Sequence, residues 1–183
     1  MIKHPLQSRW CWWYDNYNGK TDIKNFGDSM IKIFTFDTVE DFWCLWNNIK
    51  GANELVPGSN YHVFKEGIQP KWEDDANRVG GRWIIQLKTS QRNTDLNDIW
   101  MHGLLACIGN CFEDEEEVLG LVVNVRKNND KICLWTRNAR DKERTTRIGQ
   151  QLKDSIGYRT RIQYLSHSDS MSANASYRPI YEI

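Results

Sequence analysis

The sequence predicts an α+β fold, organised as one domain over residues 1–183. Three observations predict it. Eight stretches rich in β-branched and aromatic residues have strand-like length and punctuation. Three others repeat apolar residues at helical spacing, and the two kinds interleave along the chain. No glycine or asparagine cluster exceeds a turn and no internal repeat is present, so nothing divides the chain. At 183 residues it buries about 70% of its unfolded surface, which is enough for a real core.

In chain order, Arg9 to Tyr14 and Met30 to Phe36 read as strands. Thr38 to Ile49 reads as a helix with Asp37 as N-cap and Glu40 three residues on, an Asp version of the capping box. Its apolar residues Val39, Phe42, Trp43, Leu45, Trp46 and Ile49 span about 160°, wider than the core-facing stripe of about 100°. Val39 and Trp43, neighbours on one flank, are therefore expected to be exposed. Tyr61 to Lys65 and Gly81 to Leu87 follow as strands. Thr94 to Ile108 is the second helix, with one apolar stripe through Leu96, Ile99, Trp100, Gly103 and Cys107 and another through Met101, Leu105 and Ile108. Val118 to Arg126 and Lys131 to Thr136 flank the turn residues Asn128-Asn129-Asp130 and should pair antiparallel. The third helix, Asp141 to Ile156, faces inward through Ile148, Leu152 and Ile156. Arg161 to Leu165 and Tyr177 to Tyr181 complete the strands.

Composition excludes whole classes. With 40% hydrophobic and 26% charged residues, collagen-like and disordered readings fit poorly. No apolar run approaches the 18 or so residues of a membrane span, and Met1-Ile2-Lys3-His4-Pro5 is no signal peptide, so a cytoplasmic or nuclear home is expected. Met1 lying directly before the His4-Pro5 block suggests a missing or trimmed disordered tail. Five cysteines, an odd number, argue for reduced thiols. Formal charge is zero, with 24 cations and 24 anions, so bulk charge does not drive binding to nucleic acid. Yet Leu121 to Arg161 holds 11 Lys or Arg against 4 Asp or Glu, just after the acidic run Glu113 to Glu117. A few phosphates could bind there.

Two places carry candidate chemistry. Read at period two, Asn124 and Arg126 share one face of their strand, and Lys131, Cys133 and Trp135 share one face of the next. If the faces coincide, cations for phosphates lie beside an aromatic for a base. The alternative is a hairpin with a half-buried Trp and solvated charges. Trp72-Glu73-Asp74-Asp75 lies in a polar loop after Pro70 with no apolar face to join. An exposed indole beside a carboxylate suits a cationic or guanine-like ring, the alternative being a loop Trp that caps the core.

Several blocks occur in order: His4-Pro5-Leu6-Gln7, Arg9-Trp10, Phe36-Asp37-Thr38-Val39-Glu40-Asp41-Phe42-Trp43, Lys71-Trp72-Glu73-Asp74, Gly80-Gly81-Arg82-Trp83 and Val122-Val123-Asn124-Val125-Arg126. Together, from Ile2 to about Asp169, they resemble the eukaryotic translation initiation factor 4E family of mRNA cap-binding proteins. The resemblance implies a strongly curved antiparallel sheet of about eight strands whose concave face holds the cap, with three long helices on the convex face. It implies binding of capped mRNA rather than catalysis, and no cofactor. By position, Trp72 is one of two aromatics sandwiching 7-methylguanine, Glu73 accepts from the guanine N1 and N2 groups, and Trp135 touches the N7 methyl. The resemblance likewise implies that Arg126 and Lys131 hold the triphosphate, helped by Arg82 and Asn124. Methylation makes the ring cationic, which two electron-rich faces and a carboxylate select.

The second sandwich aromatic departs from the family's usual Trp. Spacing back from Phe36 reaches Phe26, with Tyr17 the other candidate. A changed aromatic there also occurs in cap-binding homologues that repress translation, whereas Trp10 and Trp13 resemble the initiating type. On the convex side, Val39, Trp43, Met101, Leu105, Ile108 and Gly109, with His4 and Pro5, match the surface that receives Tyr-x-x-x-x-Leu-apolar helices of 4G-type scaffolds and 4E-binding proteins. His102 stands where the family commonly has Glu, which alters the partner set.

The competing classes are a nucleotide hydrolase and a methyl-independent single-strand RNA binder. For the first, His4, His62, His102 and His167 show no metal spacing, no P-loop is present, and Cys107 and Cys111 read as buried free thiols. The acidic run is a possible divalent-ion loop or, more simply, a solvated one. The second would use the same aromatics and cations without requiring the methyl group.

Overall fold

The computed structural model describes residues 2–16, 30–168 and 178–183. Among them the strands are β1 (Pro5–Asn16), β2 (Ile31–Thr38), β3 (Ser59–Lys65), β4 (Gly81–Lys88), β5 (Val118–Asn124), β6 (Asn129–Thr136), β7 (Gln163–Ser166) and β8 (Tyr181–Glu182). They form one curved sheet in the order β2-β1-β3-β5-β6-β4-β7-β8, every neighbouring pair antiparallel. The helices are α1 (Val39–Asn48), α2 (Asn97–Ile108) and α3 (Lys142–Ile156).

Strand alternation sends successive side chains to opposite faces, and here the two sets have different fates. Trp12, Val63, Leu121, Leu134 and Trp83 pack with Trp100 and Leu104 of α2 and with Ile148 and Leu152 of α3 in the main core. The Trp83 indole also donates to the Thr145 carbonyl at 2.8 Å, tying α3 to the sheet. Phe64, Val122, Cys133, Trp135, Ile84 and Leu165 face the other way as a smaller cluster that no helix covers.

Helix α1 begins one residue later than its sequence suggests. Its N-cap is Thr38, whose hydroxyl accepts from the Asp41 amide at 3.2 Å, because Asp37 points outward toward Arg9, 3.5 Å away. Glu40 reaches not the cap but His4, accepting from its amide at 2.8 Å and meeting Nδ1 at 2.6 Å. Helix α2 starts at Asn97, preceded by a π-helical turn over Arg92–Leu96. Strand β5 stops at Asn124, short of Arg126. Asn129 and Asp130, expected in the turn, belong to β6, since Asp130 is buried and its carboxylate accepts from Arg92 twice at 2.8 Å and from the Arg126 amide at 2.9 Å. The acidic run is clamped, with Asp114 meeting Arg147 at 2.8 Å, Glu115 meeting Lys65 at 2.8 Å and Glu116 meeting Arg144 at 3.3 Å, while Glu113 and Glu116 stay exposed to solvent as expected.

Gly120 leaves room on the uncovered face for the Phe64 ring, to which an added Cβ would come within 2.5 Å. Phe64 is wholly buried and has little freedom to yield. Gly120→Ala is therefore expected to destabilise the fold by about 1–3 kcal/mol, the usual cost of overpacking; a urea midpoint equal to that of the parent protein would contradict this packing.

Candidate nucleotide-binding face

Cross-strand pairing arranges the uncovered face in rows. Phe64, Gly120, Trp135, Arg82 and Leu165 form one; His62, Val122, Cys133, Ile84 and Gln163 the next; Asn60, Asn124, Lys131 and Gln86 the third. Lys131 and Asn124 are directly paired, so the two halves of the hairpin do share a face. The first row lies about 13 Å from the third, four residues along a strand. Trp135 therefore sits at one end of the face with Arg82 beside it, and Lys131 sits at the other.

At the aromatic end Trp135 is only 6% exposed. Phe64 meets it edge-on at 5.4 Å, and the His167 ring lies 4.1 Å away. Nδ1 of His167 accepts from the Arg82 guanidinium at 3.2 Å, so the ring carries its proton on Nε2. Burial, with Arg82 adding to it, pushes the His167 pKa down to about 3 and keeps the ring neutral.

The loop between β3 and β4 brings in Trp72. It returns to the sheet beside Thr136, and its Ile68 and Ala76 pack on the Trp135 cluster. Internal hydrogen bonds set its shape. The buried Asn77 amide donates to the carbonyls of Gln69 and Lys71 at 2.8 and 2.7 Å, while the Asp74 carboxylate accepts from the Gln69 and Ala76 amides at 2.9 and 3.0 Å. Trp72 is left 38% exposed and Glu73 is exposed beside it, with no hydrogen bond to any described residue.

At the other end, the half-buried Arg126 donates to the carbonyls of Val125 at 2.9 Å and Ser59 at 3.3 Å and makes no ion pair among the described residues. Burial pushes its pKa down, opposed by nearby Asp15. A desolvated cation held by carbonyls attracts an anion strongly. Asn124 donates to Asn60 at 2.7 Å, Asn60 to Asp15 at 2.5 Å, and His62 meets the other Asp15 oxygen at 2.6 Å. Sequence reasoning did not single out this buried network, nor Asn77 or His167. The signal for Asp15 was its parity with Cys11 and Trp13 inside an otherwise aromatic strand. Phe26 and Tyr17 lie outside the described residues.

The convex side carries a second surface. Val39 is 38% and Trp43 36% exposed, whereas Met101 and Leu105 are half-buried and Ile108, at 6%, belongs mostly to the core. Gly109, the C-cap of α2, is exposed. His4 and Pro5 lie against the start of α1, where the Val39 amide donates to the His4 carbonyl at 2.9 Å. His102 donates from Nδ1 to the Asp98 carbonyl at 2.8 Å, which leaves Nε2 as the ring nitrogen that can accept from a partner.

A family model described as eukaryotic initiation factor 4E matches residues 5–180. The chain is 44% identical over 179 residues to the Homo sapiens eukaryotic translation initiation factor 4E, covering 96% of this chain and 81% of that protein. It is 41% identical over 182 residues to the Dictyostelium discoideum factor of the same name, covering 100% and 72%. Ascaris suum eIF4E-3, solved with an m2,2,7G cap, matches at a TM-score of 0.92 and 39% identity, covering 100% of this chain and 99% of that one. C. elegans eIF4E-3, solved with the 4E-binding protein Mextli and a cap analog, matches at 0.89 and 38%, covering 100% of both.

The neutral His167 gives stability a pH dependence. The unfolded chain takes up this proton below the ordinary value of 6.5, the folded protein only near 3. Stability is thus lost as pH falls through that window. Between about pH 6.5 and pH 5, where ordinary carboxylates stay ionised, thermal melts should show a decline in Tm that His167→Phe flattens. An equal slope in both proteins would rule out His167 as its source.

Proposed function

Because the chain belongs to the eukaryotic initiation factor 4E family, we propose that it binds the 7-methylguanosine cap of mRNA and recruits a helical partner for translation initiation. It is a binding factor, not an enzyme. The observation that carries this reading is the convergence of an exposed Trp72–Glu73 pair, in the loop that packs on the Trp135 cluster, with Trp135 itself and with Lys131 and Arg126 toward the far end of the same sheet. Trp72 stacks on the methylated base and Glu73 accepts its N1 and N2 hydrogens. Trp135 backs the methyl group. Arg126 and Lys131 take the phosphates, with Arg82 and Asn124 assisting. Phe26 is the second stacking aromatic by spacing. The compartment we propose is the cytoplasm, where mRNA is translated.

The convex surface is the partner site. Val39 and Trp43 offer apolar area beside Met101 and Leu105, and Nε2 of His102 offers an acceptor to a polar side chain of the partner. Partner proteins, 4G-type scaffolds or 4E-binding proteins, would lay an apolar helix there.

Fluorescence titration with 7-methyl-GTP against GTP tests the cap site. Methyl-independent binding would favour a general RNA binder. Trp72→Ala should cost about 1–3 kcal/mol, the range for stacking a base on an aromatic, and Glu73→Ala at least as much, since base donors lose their acceptor. Arg126→Ala and Lys131→Ala should weaken 7-methyl-GTP far more than 7-methylguanosine. Unchanged affinity across these variants would remove the assignment.

Trp43→Ala should reduce binding of a Tyr-x-x-x-x-Leu-apolar peptide by about 2 kcal/mol or more, as loss of an aromatic anchor does. Because the two surfaces lie on opposite sides of the sheet, calorimetry should find 7-methyl-GTP affinity unaltered. A peptide indifferent to Trp43 would place the partner elsewhere.

A further inference from the structure

Beyond the phosphate row the same face continues into a cleft of about 330 Å³. One wall is the end of the sheet, where Lys131 is paired with Gln86 and Asn129 with Lys88. The other is the chain between α3 and β7, carrying Tyr158 and Arg161, with Gln163 closing it. The cleft exists because β7 pairs with β4 only from Gly81 to Ile84, leaving the later part of that edge without a strand. Gly157, at φ 66°, ends α3 in a left-handed turn and throws Tyr158 across this gap, where its hydroxyl donates to the Gln86 carbonyl at 3.3 Å.

We propose that this cleft is the track for the first nucleotides of the RNA that follow the cap. The proposal rests on the cap-binding reading and extends its site. Continuity is the first argument: Ile84 both lines the cleft and packs in the Trp135 cluster, and Gln86 lies beside Lys131 in the phosphate row. Charge is the second. Lys88 and Arg161 line the cleft, with Lys127 and Arg159 exposed nearby in sequence. Of the other cations of the basic region, Arg144 and Arg147 are clamped to the acidic run 113–117. Among the described residues one acid opposes the track: Glu182 meets Arg161 at 3.3 Å and accepts from Gln163 at 2.8 Å. An exposed pair of this kind contributes little and gives way to a phosphate. Chemistry is the third. A phenol held in place by its hydroxyl, flanked by cations and by the amides of Gln86, Gln163 and Asn129, combines base stacking, phosphate neutralisation and hydrogen bonding as single-strand tracks do. The cleft volume lies within the range of about 300–1,000 Å³ typical of small-ligand sites.

The test compares 7-methyl-GTP with a 7-methylguanosine-capped pentanucleotide, using the full chain and the variants Lys88→Glu with Arg161→Ala, and Tyr158→Leu. The parent protein should bind the capped RNA at least about fivefold tighter than 7-methyl-GTP, the fold equivalent of one stacked base. Both variants should lose that gain while keeping parental affinity for 7-methyl-GTP, which also shows that they are folded. For the charge variant the log–log salt slope should become shallower by about 0.7 for each phosphate that is no longer neutralised. If the parent gains nothing from the added nucleotides, or the gain survives in folded variants, the track is elsewhere and the proposal is overturned. If the parent fails to bind 7-methyl-GTP, the cap reading itself is overturned and the track with it. A variant that loses 7-methyl-GTP binding together with the gain overturns the separation of track from cap site.

Discussion

The alternation of side chains across one antiparallel sheet is the constraint on which everything else depends. Helices cover a single face, so every second residue of each strand goes to a core and the remainder to a surface. Trp12 and Trp83 are consumed by the core, whereas Trp135, one step out of phase with Leu134, becomes the floor of the nucleotide face. A one-residue register slip in β6 would exchange those roles entirely. The register is held from both sides, by pairing with β4 all the way from Gly81 to Lys88 and by the β5 pairing that sets Asn124 opposite Lys131.

Buried polar groups then fix what the sheet only places. Asp130 is fully buried, and its carboxylate holds Arg92 through two hydrogen bonds while accepting the Arg126 amide. The Arg92 guanidinium also donates to the Arg126 carbonyl. Just beyond the end of β5, the backbone of Arg126 is thus held at both its amide and its carbonyl, and its guanidinium is pre-positioned at small entropic cost. The Asp15–Asn60–Asn124 chain does the same for Asn124. Asn77 and Asp74 do it for Trp72, since a loop without strand partners must satisfy its backbone from its own side chains.

What was legible in the sequence follows from this hierarchy. Helices α1 and α3 and the central strands were readable because apolar period and caps are local signals. The hairpin face was readable because parity alone decides it. Boundaries failed where a distant partner overrode a local rule: Asp130 looks like a turn residue until Arg92 is brought to it, and Asp37 looks like an N-cap until Arg9 draws it outward. The exposed flank of α1 was legible as an apolar excess, but Ile108, in the same α2 stripe as Met101 and Leu105, is buried in the main core. His167 was invisible as a site residue, because no local pattern tells a neutral buried imidazole from an ordinary strand residue, and Asp15 gave only its parity, with nothing local to name its partners Asn60 and His62.

The electrostatics of the face also escape a whole-chain sum. The formal charge is zero, yet the acidic run is not an independent field, because Arg144 and Arg147 of α3 and Lys65 of β3 lie within 3.3 Å of its carboxylates. Those pairs cancel one another beside the convex side. On the opposite face Arg126, which has no ion pair among the described residues, keeps its field. At physiological ionic strength the Debye length is about 8 Å, shorter than the roughly 13 Å that separate the Trp135 row from the Lys131 row. Each end of the face therefore answers to its own charges. A cationic ring at one end feels Glu73 more than Arg126, and a polyphosphate at the other feels Arg126 and Lys131 more than Glu73. Arg82 blurs this division, since it lies in the Trp135 row and donates there to His167.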